Sequence, residues 1–489
     1  MKRLRTLIDP LTRAGLVRTV RGLSDDIVID HLADDSRKVG PGGLFVAVRG
    51  ERADGHLFID KAVQNGAIAI VCEAMPGEAS ARFPGIAFVQ VRDARQALAD
   101  LAAAFYDHPV RALKMVGVTG TNGKTTTAYL VHHALTALGT TAGLIGTVAY
   151  RVGDETIAAT HTTPGALALQ RLLRGMVTAG CTACAMEVSS HALVQERVRG
   201  IPFEVAVFTN LTPEHLDYHG SFQNYLAAKK RLFDGLAPAA TALYNADDPS
   251  GEAVVAGTSA RRLSYGRRPG VDLPVEVLEN RIDGLRLRLD GRSRAFRLVG
   301  LFNAYNLAAA YGVLRALGHD AGAVLDVLAD APPVPGRFEQ ISFPSGTTVI
   351  VDYAHTPDAL ENVLQTIRAL KPPGATLWCV FGCGGDRDPT KRRTMGSIAE
   401  RYADRVIVTS DNPRTEDPEA IMNDIRRGME HPLEARWIVD RREAIRAAAA
   451  GVRPGDVVLI AGKGHEPYQI IGTDRIPFDD REEARQSFR

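Results

Sequence analysis

A glycine-rich loop between an apolar strand and an amphipathic helix most constrains the fold of this chain. The strand LKMVGVTG runs into the loop at Gly120, and Lys124 and Thr125 open the helix that follows. Backbone N–H groups at such a helix N-terminus bind phosphate oxygens, the lysine neutralises phosphate charge, and the hydroxyl ligates Mg²⁺. The segment GVTGTNGKTTT (117–127) therefore predicts a nucleotide-binding phosphate loop, although Val118 stands where the general spacing has glycine. The alternative is a plain glycine turn with an exposed Lys124.

Apolar strands alternate with helices on both sides of this loop, which predicts an α/β fold with mainly parallel sheets. At about 150 residues per domain, 489 residues predict about three domains. Breaks near Pro109 and in the turn APPVPGRFEQ place them at 1–110, 111–335 and 336–489. The predicted strands include LFVAV, AIAIV, GLIGTVAY, CTACAMEVSS, FEVAVFTNL, TTVIVDYAH, ATLWCVFGC, RVIVTSD and DVVLIAGKG, and the predicted helices include residues 58–64, QALADLAAAFYDHP, TTTAYLVHHALTALG and PDALENVLQTIRAL.

Two polar residues follow strands that we expect beside the strand of the phosphate loop. Glu187 ends CTACAMEV, and His215 lies in the loop after FEVAVF. Taken alone, His215 is typical of a surface or hydrogen-bonded histidine, but the pair in this setting favours metal binding. Lys229 lies on the next helix, and a helical lysine is typical of a solvated face. Cys181 and Cys184 fall in an apolar strand without a second CxxC pair, which favours core packing over zinc.

Charged loops follow three strands of the third region. GCGGDRDPTKR contains Arg387 and Lys391, and AGKGHE contributes Glu466. In SDNPRTEDP, Pro413 stiffens a loop that offers an acid, an amide and a guanidinium from Asp411, Asn412 and Arg414. Such a set could hold a zwitterion, with the guanidinium on its carboxylate and an acid on its ammonium. Each loop alone could equally be a simple strand-to-helix connection.

Composition excludes several classes of protein. Lys+Arg (58) and Asp+Glu (57) nearly cancel to a net charge of +1, which argues against a basic surface for nucleic acid. No apolar run approaches the roughly 18 residues of a membrane span, and the basic N-terminus lacks an apolar signal segment. Five cysteines in a chain of this length do not make a disulfide scaffold. We expect a cytoplasmic protein that binds neither nucleic acid nor membrane.

The motifs together resemble the Mur ligase family, the ATP-dependent amino-acid ligases of peptidoglycan precursor synthesis. The resemblance covers essentially the whole chain, and the shortened phosphate loop is the family's own form. One departure is Glu51-Arg52-Ala53, where the family has HQA in its first domain. The motifs are, in order, DSR (35–37), TGTNGKTTT, HTTP (161–164), EVSSHALVQERV, TNLTPEHLDYHGSF, AAK, LFNAYNLAAA, GRFE, VDYAHTPDAL, GCGGDRD, DNPR and GKGHE.

The resemblance implies a UDP-binding first domain, a central ATPase domain and a Rossmann-like third domain for the amino acid. It implies four sets of residues. The ATP set is Gly120, Thr121, Asn122, Gly123, Lys124, Thr125, Thr126, Asn303, Arg337, Asp352 and His355. The UDP-muramoyl-dipeptide set is Ser36, Thr162, Thr163, Ser189, Gln195 and Arg197. The diaminopimelate set is Arg387, Asp411, Asn412, Pro413, Arg414, Gly462 and Glu466. The magnesium set is Thr125, Glu187, His215 and a carbamylated Lys229, and the catalytic residues implied are Lys124, Glu187, His215 and Lys229.

The activity implied is the ATP-dependent addition of meso-2,6-diaminopimelate to UDP-N-acetylmuramoyl-L-alanyl-D-glutamate through an acyl phosphate. A related reaction that adds L-lysine and a folylpolyglutamate synthase-like reaction are the nearest alternatives. A P-loop regulatory ATPase is the alternative from another class. We expect ATP and Mg²⁺ as cofactors and a monomeric enzyme.

Overall fold

The chain is described here by a computed structural model that covers residues 1–51 and 53–489, with the backbone only at 79 and 80. Its described strands form three large sheets that follow one another along the chain, and two short antiparallel pairs. The mixed α/β architecture predicted from the alternating pattern is confirmed. No helix of the described chain is long and apolar enough to cross a membrane.

The N-terminal sheet has five strands, of which four run parallel and Val17–Arg21 pairs antiparallel with its neighbour. In spatial order the strands are Val17–Arg21, Ala87–Val91, Ala67–Cys72, Gly43–Val46 and His31–Ala33. A separate pair joins Lys2–Arg3 to Val28–Ile29. The α-helices are Leu4–Arg13, Ile59–Gln64, Ala79–Arg82 and Ala94–Phe105, with 3₁₀ turns at Ser36–Lys38, Gly55–Phe58 and Pro109–Ala112.

The central sheet has eleven strands, parallel in the middle and antiparallel at both edges. Their order is Glu155–Ala158, Ala149–Val152, Ala142–Ile145, Ala183–Glu187, Lys114–Thr119, Phe203–Phe208, Thr241–Asn245, Arg261–Gly266, Leu273–Arg281, Gly284–Leu289 and Arg292–Phe296. Its helices are Lys124–Ala137, Ala166–Thr178, Ser190–Val194, Leu216–His219, Phe222–Asp234, Gly251–Val255, Leu301–Ala316 and Ala321–Ala329.

The position of the strand Lys114–Thr119 decides where the site forms. It lies between Ala183–Glu187 and Phe203–Phe208 and runs parallel to both. Parallel neighbours end at one edge of a sheet, so the loops that carry Gly120, Glu187 and His215 leave the same edge. The predicted adjacency of these strands is confirmed.

The run GLIGTVAY, predicted as a single strand, is instead two antiparallel strands, Ala142–Ile145 and Ala149–Val152. The chain turns at 146–148, where Gly146 lies against the Glu187 carboxylate. A Cβ at that glycine would lie 2.5 Å from Glu187 Oε1. The single-strand prediction was therefore wrong, and the turn brings Thr147 to the site.

The C-terminal sheet has six strands, of which the first pairs antiparallel and the others run parallel. Their order is Glu339–Ser342, Thr348–Asp352, Val457–Ala461, Leu377–Phe381, Arg405–Val408 and Arg436–Trp437, and a hairpin follows at Tyr468–Ile471 and Asp474–Pro477. The helices are Pro357–Leu370, Thr390–Tyr402, Pro418–Arg426, Arg441–Ala449 and Asp480–Ser487.

Two cysteine residues of the central sheet belong to its core. Cys184 lies in the strand Ala183–Glu187, as predicted. Cys181 was predicted in the same strand but lies just before it. Both thiols are free and buried among apolar side chains, and burial raises the pKa of Cys184. The environment is that of core packing, as the sequence favoured.

Candidate active site

The phosphate loop requires glycine at two positions. Gly120 has φ 148° and Gly123 has φ 84°, backbone conformations that favour glycine. A Cβ at Gly120 would overlap the hydroxyl of Thr209, and one at Gly123 would lie 2.5 Å from Asn306 Oδ1. The loop is therefore packed tightly against the next strand end and against the helix Leu301–Ala316.

The side chain of Lys124 folds back over this loop. Its Nζ donates to the backbone oxygens of Gly120 at 2.9 Å and Thr121 at 2.7 Å. Burial lowers the pKa of Lys124, and the carboxylates of Glu214 and Glu187 partly oppose that effect. An anion in the loop would give this ammonium group a stronger partner than two carbonyl groups.

Glu187 lies at the centre of a hydroxyl cluster and is only 1% exposed. Thr125 Oγ1 donates to its Oε2 at 3.0 Å, and Thr147 donates through its N–H to Oε1 at 2.6 Å and through its hydroxyl to Oε2 at 3.1 Å. The hydroxyl of Thr162 lies 3.0 Å from that of Thr147. Sequence reasoning missed Thr147, and the only signal for it was the glycine inside GLIGTVAY.

His215 lies at the mouth of the site with φ 56° and a side chain 45% exposed. Its Nε2 is 3.7 Å from Glu214 Oε2, and its ring meets those of His191 and Tyr225 edge-on. Burial lowers the pKa of His215, which Glu214 partly opposes. Within the described chain no hydrogen bond joins His215 to Glu187. Glu214 itself was missed in the sequence, although it directly precedes His215.

Lys229 is 1% exposed, so the solvated face expected from its helical position is wrong. Its Nζ donates to the Gly120 carbonyl oxygen at 2.7 Å and lies 4.5 Å from the centre of the Tyr225 ring. Burial and the nearby charge of Lys124 hold the pKa of Lys229 well below its ordinary value. The hydroxyl of Tyr225 lies 3.2 Å from that of Thr121, so the helix and the phosphate loop are joined twice.

Four residues predicted to hold the muramoyl-dipeptide form one hydrogen-bonded group. Thr163 accepts from the N–H of Ser189 at 3.0 Å and donates to the Glu187 carbonyl oxygen at 2.8 Å. Arg197 donates to the Thr163 carbonyl oxygen at 2.8 Å and, through two nitrogens, to Gln195 Oε1. The group therefore touches the strand end that carries the Glu187 carboxylate.

Among the described residues, one hydrogen bond joins the N-terminal domain to this group. Gln195 Nε2 donates to Glu51 Oε1 at 2.7 Å. Arg52, the next residue of the departure from HQA, lies outside the described residues. Ser36 is buried and its carbonyl oxygen accepts from Asn65 Nδ2 at 2.8 Å, and no hydrogen bond of the described chain joins Ser36 to the other four residues.

Two described side chains of the C-terminal domain, Arg337 and Asp358, form hydrogen bonds with the phosphate-loop region. Arg337 donates to Thr125 Oγ1 at 3.2 Å and lies over the Tyr353 ring, with its Nε buried and without a partner among the described residues. Asn122 Nδ2 donates to Asp358 Oδ2 at 2.8 Å. Asp358 was not singled out in the sequence, although it lies in the motif VDYAHTPDAL.

The remaining nucleotide-set residues line the same junction. Asn303 accepts from Asn306 Nδ2 at 2.9 Å, which links it to the residue packed on Gly123. Asp352 accepts from the N–H of Phe338 at 2.6 Å, and burial raises the pKa of its carboxyl group. Burial lowers the pKa of His355 to about 4, so the ring is neutral near pH 7.

The amino-acid set lies at the carboxyl edge of the C-terminal sheet. Asn412 Nδ2 donates to Glu466 Oε2 at 2.8 Å. Arg414 has φ 54° and donates to the Gly385 carbonyl oxygen at 2.7 Å. Asp411 is buried against Gly462, where a Cβ would overlap the Asp411 carboxylate. The structure thus brings together Asp411, Asn412, Pro413, Arg414, Gly462 and Glu466, whereas Arg387 is exposed and donates to its neighbour's carbonyl oxygen at Asp386.

The donor set at Glu187 decides which metal ion the site suits. No group of three or more His, Cys, Asp or Glu side chains in the described chain could hold a metal ion. The buried Glu187 carboxylate and the Thr125 hydroxyl are hard oxygen donors. Mg²⁺ is commonly bound by one or two carboxylates together with substrate phosphates and water, so these residues fit Mg²⁺ and do not fit a site of three or more protein acids and histidines.

Three family models together match most of the chain. Residues 28–106 match the "Mur ligase family, catalytic domain", residues 118–314 the "Mur ligase middle domain" and residues 336–464 the "Mur ligase, glutamate ligase domain". The matches follow the three sheets in order.

Individual proteins give the same result over nearly full length. A protein of Cytophaga hutchinsonii described as UDP-N-acetylmuramoyl-L-alanyl-D-glutamate--2,6-diaminopimelate ligase is 46% identical over 458 residues, 93% of this chain and 94% of that protein. A solved structure described by the same name is 35% identical with a TM-score of 0.66 and covers 94% of each chain. A folylpolyglutamate synthase of Mycobacterium tuberculosis complexed with ADP and AMPPCP has a TM-score of 0.61 at 22% identity, covering 76% of this chain and 93% of that one, and shares the fold alone.

Proposed function

Since the chain belongs to the Mur ligase family, we propose that it adds meso-2,6-diaminopimelate to UDP-N-acetylmuramoyl-L-alanyl-D-glutamate. The enzyme is an ATP-dependent ligase of peptidoglycan precursor synthesis. The observation that carries the assignment of its site is the meeting of three groups around Thr125. Glu187 with its hydroxyl cluster, the Thr163–Arg197 group and the Arg337 guanidinium are linked to it by continuous hydrogen bonds.

The reaction begins with activation of a carboxylate. Oxide is a very poor leaving group, so the γ-phosphoryl group of ATP is first transferred to the side-chain carboxylate of the D-glutamate, giving an acyl phosphate and ADP. The amine then attacks the acyl carbon, a tetrahedral intermediate forms, and phosphate leaves as the new amide is made. Two anions must approach each other in the first step, and the half-buried ammonium of Lys124 offsets their repulsion.

Thr125 and Glu187 would hold the magnesium ion, with His215 near the mouth of the same site. When bound, Mg²⁺ neutralises charge on the phosphate oxygens. The buried carboxylate needs such a cation or its present hydroxyl donors, because an unpaired buried charge is costly. Thr147 keeps the carboxylate oriented through its N–H and hydroxyl groups.

Lys229 is the residue that we assign to carbamylation. A neutral amine reacts with CO₂ to give a carbamate and a proton, and the lowered pKa of Lys229 favours the neutral form. The side chain lies against the Gly120 carbonyl oxygen, so a carboxylate added there would lie beside the phosphate loop. It would then supply the negative charge that positions Mg²⁺.

The two substrate sets are assigned to different domains. Thr162, Thr163, Ser189, Gln195 and Arg197 would hold the dipeptide, and Ser36 would lie in the uridine site. Arg414 would meet the distal carboxylate of diaminopimelate, and Glu466 its ammonium group. Lysine lacks that carboxylate, so it would leave a partly buried guanidinium unpaired. We assign the exposed Arg387 to the same pocket, because the carbonyl oxygen of nearby Gly385 accepts a hydrogen bond from Arg414.

Each of the three large sheets is formed entirely by strands from one part of the chain, before 110, between 111 and 335, or after 336. This supports domain boundaries near 110 and 335. We assign UDP binding to 1–110, ATP binding to 111–335 and amino-acid binding to 336–489. Since UDP-linked precursors and ATP are cytoplasmic compounds, we place the enzyme in the cytoplasm. We expect it to act as a monomer, because the described site is assembled within one chain.

Phosphate release from ATP tests the proposal. The UDP-muramoyl-dipeptide is supplied with diaminopimelate, with L-lysine, or with neither amine. We expect release to require both the dipeptide and diaminopimelate, with lysine a poor substitute. Equal release with both amines would favour a lysine-tolerant ligase, whereas release from ATP alone at the full rate would favour a regulatory ATPase.

A further inference from the structure

Lys463 is a fully buried lysine that no role described above uses. Its side chain is 0% exposed and lies between Gly462 and Gly464, which have φ 117° and 55°. These conformations favour glycine, and they turn the Lys463 side chain under the amino-acid pocket. An isolated buried ammonium is strongly destabilising, so its partners should show why it is there.

The Lys463 ammonium group contacts two side chains of the pocket and, among the other described residues, the ring of Tyr468 in the hairpin that follows. Its Nζ donates to Asn412 Oδ1 at 3.1 Å and to Glu466 Oε2 at 3.2 Å. The face of the Tyr468 ring lies 5.6 Å away, within the range of a cation–π contact. The three N–H groups of the Lys463 ammonium therefore have two oxygen acceptors and one aromatic ring as partners.

These contacts set the orientation of two side chains. Asn412 Oδ1 accepts both from Lys463 and from the N–H of Ile470 at 2.9 Å, so its Nδ2 must point to Glu466 Oε2. Glu466 Oε2 thus has two donors, whereas its Oε1 accepts no hydrogen bond from the described chain. One carboxylate oxygen is held in place and the other remains for a ligand.

Lys463 also balances the charge of the pocket. Among the charged side chains of the pocket that are not exposed, Asp411 and Glu466 bring two negative charges, and Arg414 and Lys463 bring two positive ones; the exposed Arg387 lies outside this count. A neutral pocket suits the distal end of diaminopimelate, which is a zwitterion of net charge zero. Lysine presents an ammonium group alone, which a pocket of net charge −1 would favour.

We propose that Lys463 is a positioning and selectivity residue that orients Glu466 and keeps the amino-acid pocket neutral, so that a zwitterion is preferred to a cation. The inference rests on the proposed function and extends it to a residue outside the assigned sets.

The test compares the parent with Lys463→Met, which removes hydrogen bonds and charge, and Lys463→Gln, which keeps hydrogen-bonding capacity and removes the charge. Phosphate release yields kcat/KM for diaminopimelate and for L-lysine with ATP and the UDP-muramoyl-dipeptide saturating. We expect both variants to lower the diaminopimelate-to-lysine ratio by about tenfold or more, with kcat/KM for lysine unchanged or raised and the KM for ATP unchanged. Lys463→Gln carries the test alone if the Met variant does not fold.

Lys371→Met is the matched control, since Lys371 pairs with Asp404 (3.8 Å) at the opposite edge of the same sheet, and its ratio should equal that of the parent. A purely structural role for Lys463 would lower kcat/KM for diaminopimelate and for lysine in proportion. An unchanged ratio of the two in a folded variant would therefore overturn the inference. A parent that shows no diaminopimelate-dependent release would overturn the proposed function as well, so the two failures are distinguishable.

Discussion

The hydroxyl of Thr125 donates a 3.0 Å hydrogen bond to the carboxylate of Glu187, 62 residues further along the chain. The contact is possible because the strand that leads into the phosphate loop and the strand that ends at Glu187 are parallel neighbours, whose ends share one edge of the sheet. Arg337 of the C-terminal domain donates to the same hydroxyl at 3.2 Å. The Thr125 hydroxyl is thus hydrogen-bonded both to a carboxylate of its own domain and to a guanidinium group of the C-terminal domain.

Changing either member of this pair should impair catalysis more than nucleotide binding. We expect Thr125→Val and Glu187→Gln to lower kcat for phosphate release by about 100-fold or more, since both remove oxygen donors suited to Mg²⁺ at the developing phosphate charge. ATP affinity, measured by calorimetry, should change much less because the backbone of the phosphate loop is intact. Thr125→Ser keeps the hydroxyl and serves as the control. A Glu187→Gln enzyme with parental kcat would contradict the metal assignment.

Lys229 should carry a carbamate that depends on its buried position. Enzyme equilibrated with ¹³C-bicarbonate is expected to show a carbamate carbon resonance that is absent from Lys229→Arg, because an arginine cannot form it. Activity of the parent should fall when CO₂ is depleted and return when bicarbonate is added. Lys230→Arg, at the next and partly exposed lysine, is the control and should keep the signal. The same resonance in Lys229→Arg would assign the carbamate elsewhere.

Much of the fold was predictable because the strands are buried on both faces. Parallel strands of this kind are continuous apolar runs, and the helix PDALENVLQTIRAL is found unchanged at Pro357–Leu370. The prediction of GLIGTVAY as one strand failed at a turn where Gly146 packs against Glu187, a residue distant in sequence. Periodicity carries no information on such contacts.

The site was predictable where chemistry lies in a local motif and not where it depends on tertiary contacts. The phosphate loop could be identified from Gly120, Gly123 and Lys124 alone. The burial of Lys229 could not, because an amphipathic helix does not show which of its polar residues faces a loop from another strand. Thr147 and Lys463 were missed for the same reason, because each bonds to a side chain that is distant in sequence, Glu187 and Asn412 respectively. Glu214 was missed although its partner His215 is the next residue.

Arg414 should decide recognition of the distal carboxylate. We expect Arg414→Ala to lower kcat/KM for diaminopimelate by about 100-fold, because truncating one partner of a charged, hydrogen-bonded pair costs about 2–5 kcal/mol. The KM for ATP should stay near that of the parent. Arg427→Ala, at an exposed arginine of the same domain paired with Asp424, is the control. Parental activity in Arg414→Ala would remove this residue from the pocket.

His132 should make the protein less stable in acid. It lies on the helix that follows the phosphate loop, is 5% exposed, and has an Nδ1 with no partner in the described chain. Burial, together with the charge of Arg151, lowers the pKa of His132 from 6.5 to about 4. Between these values the unfolded chain binds the proton and the folded chain does not, so the free energy of unfolding falls as pH falls from 6.5 towards 4. The full effect is about 3 kcal/mol.

His132→Leu removes this titration and places an apolar side chain at the same buried position of the helix. Urea unfolding at intervals from pH 7.5 to 4 should therefore show a smaller acid loss for the variant than for the parent, with the difference growing below pH 6.5. The carboxyl groups contribute the same acid dependence to the stability of both proteins, so their effect cancels in the comparison. His431→Leu, at a side chain 67% exposed, is the control and should follow the parent. Parallel curves for the parent and His132→Leu would show that His132 is protonated in the folded protein as readily as in the unfolded chain.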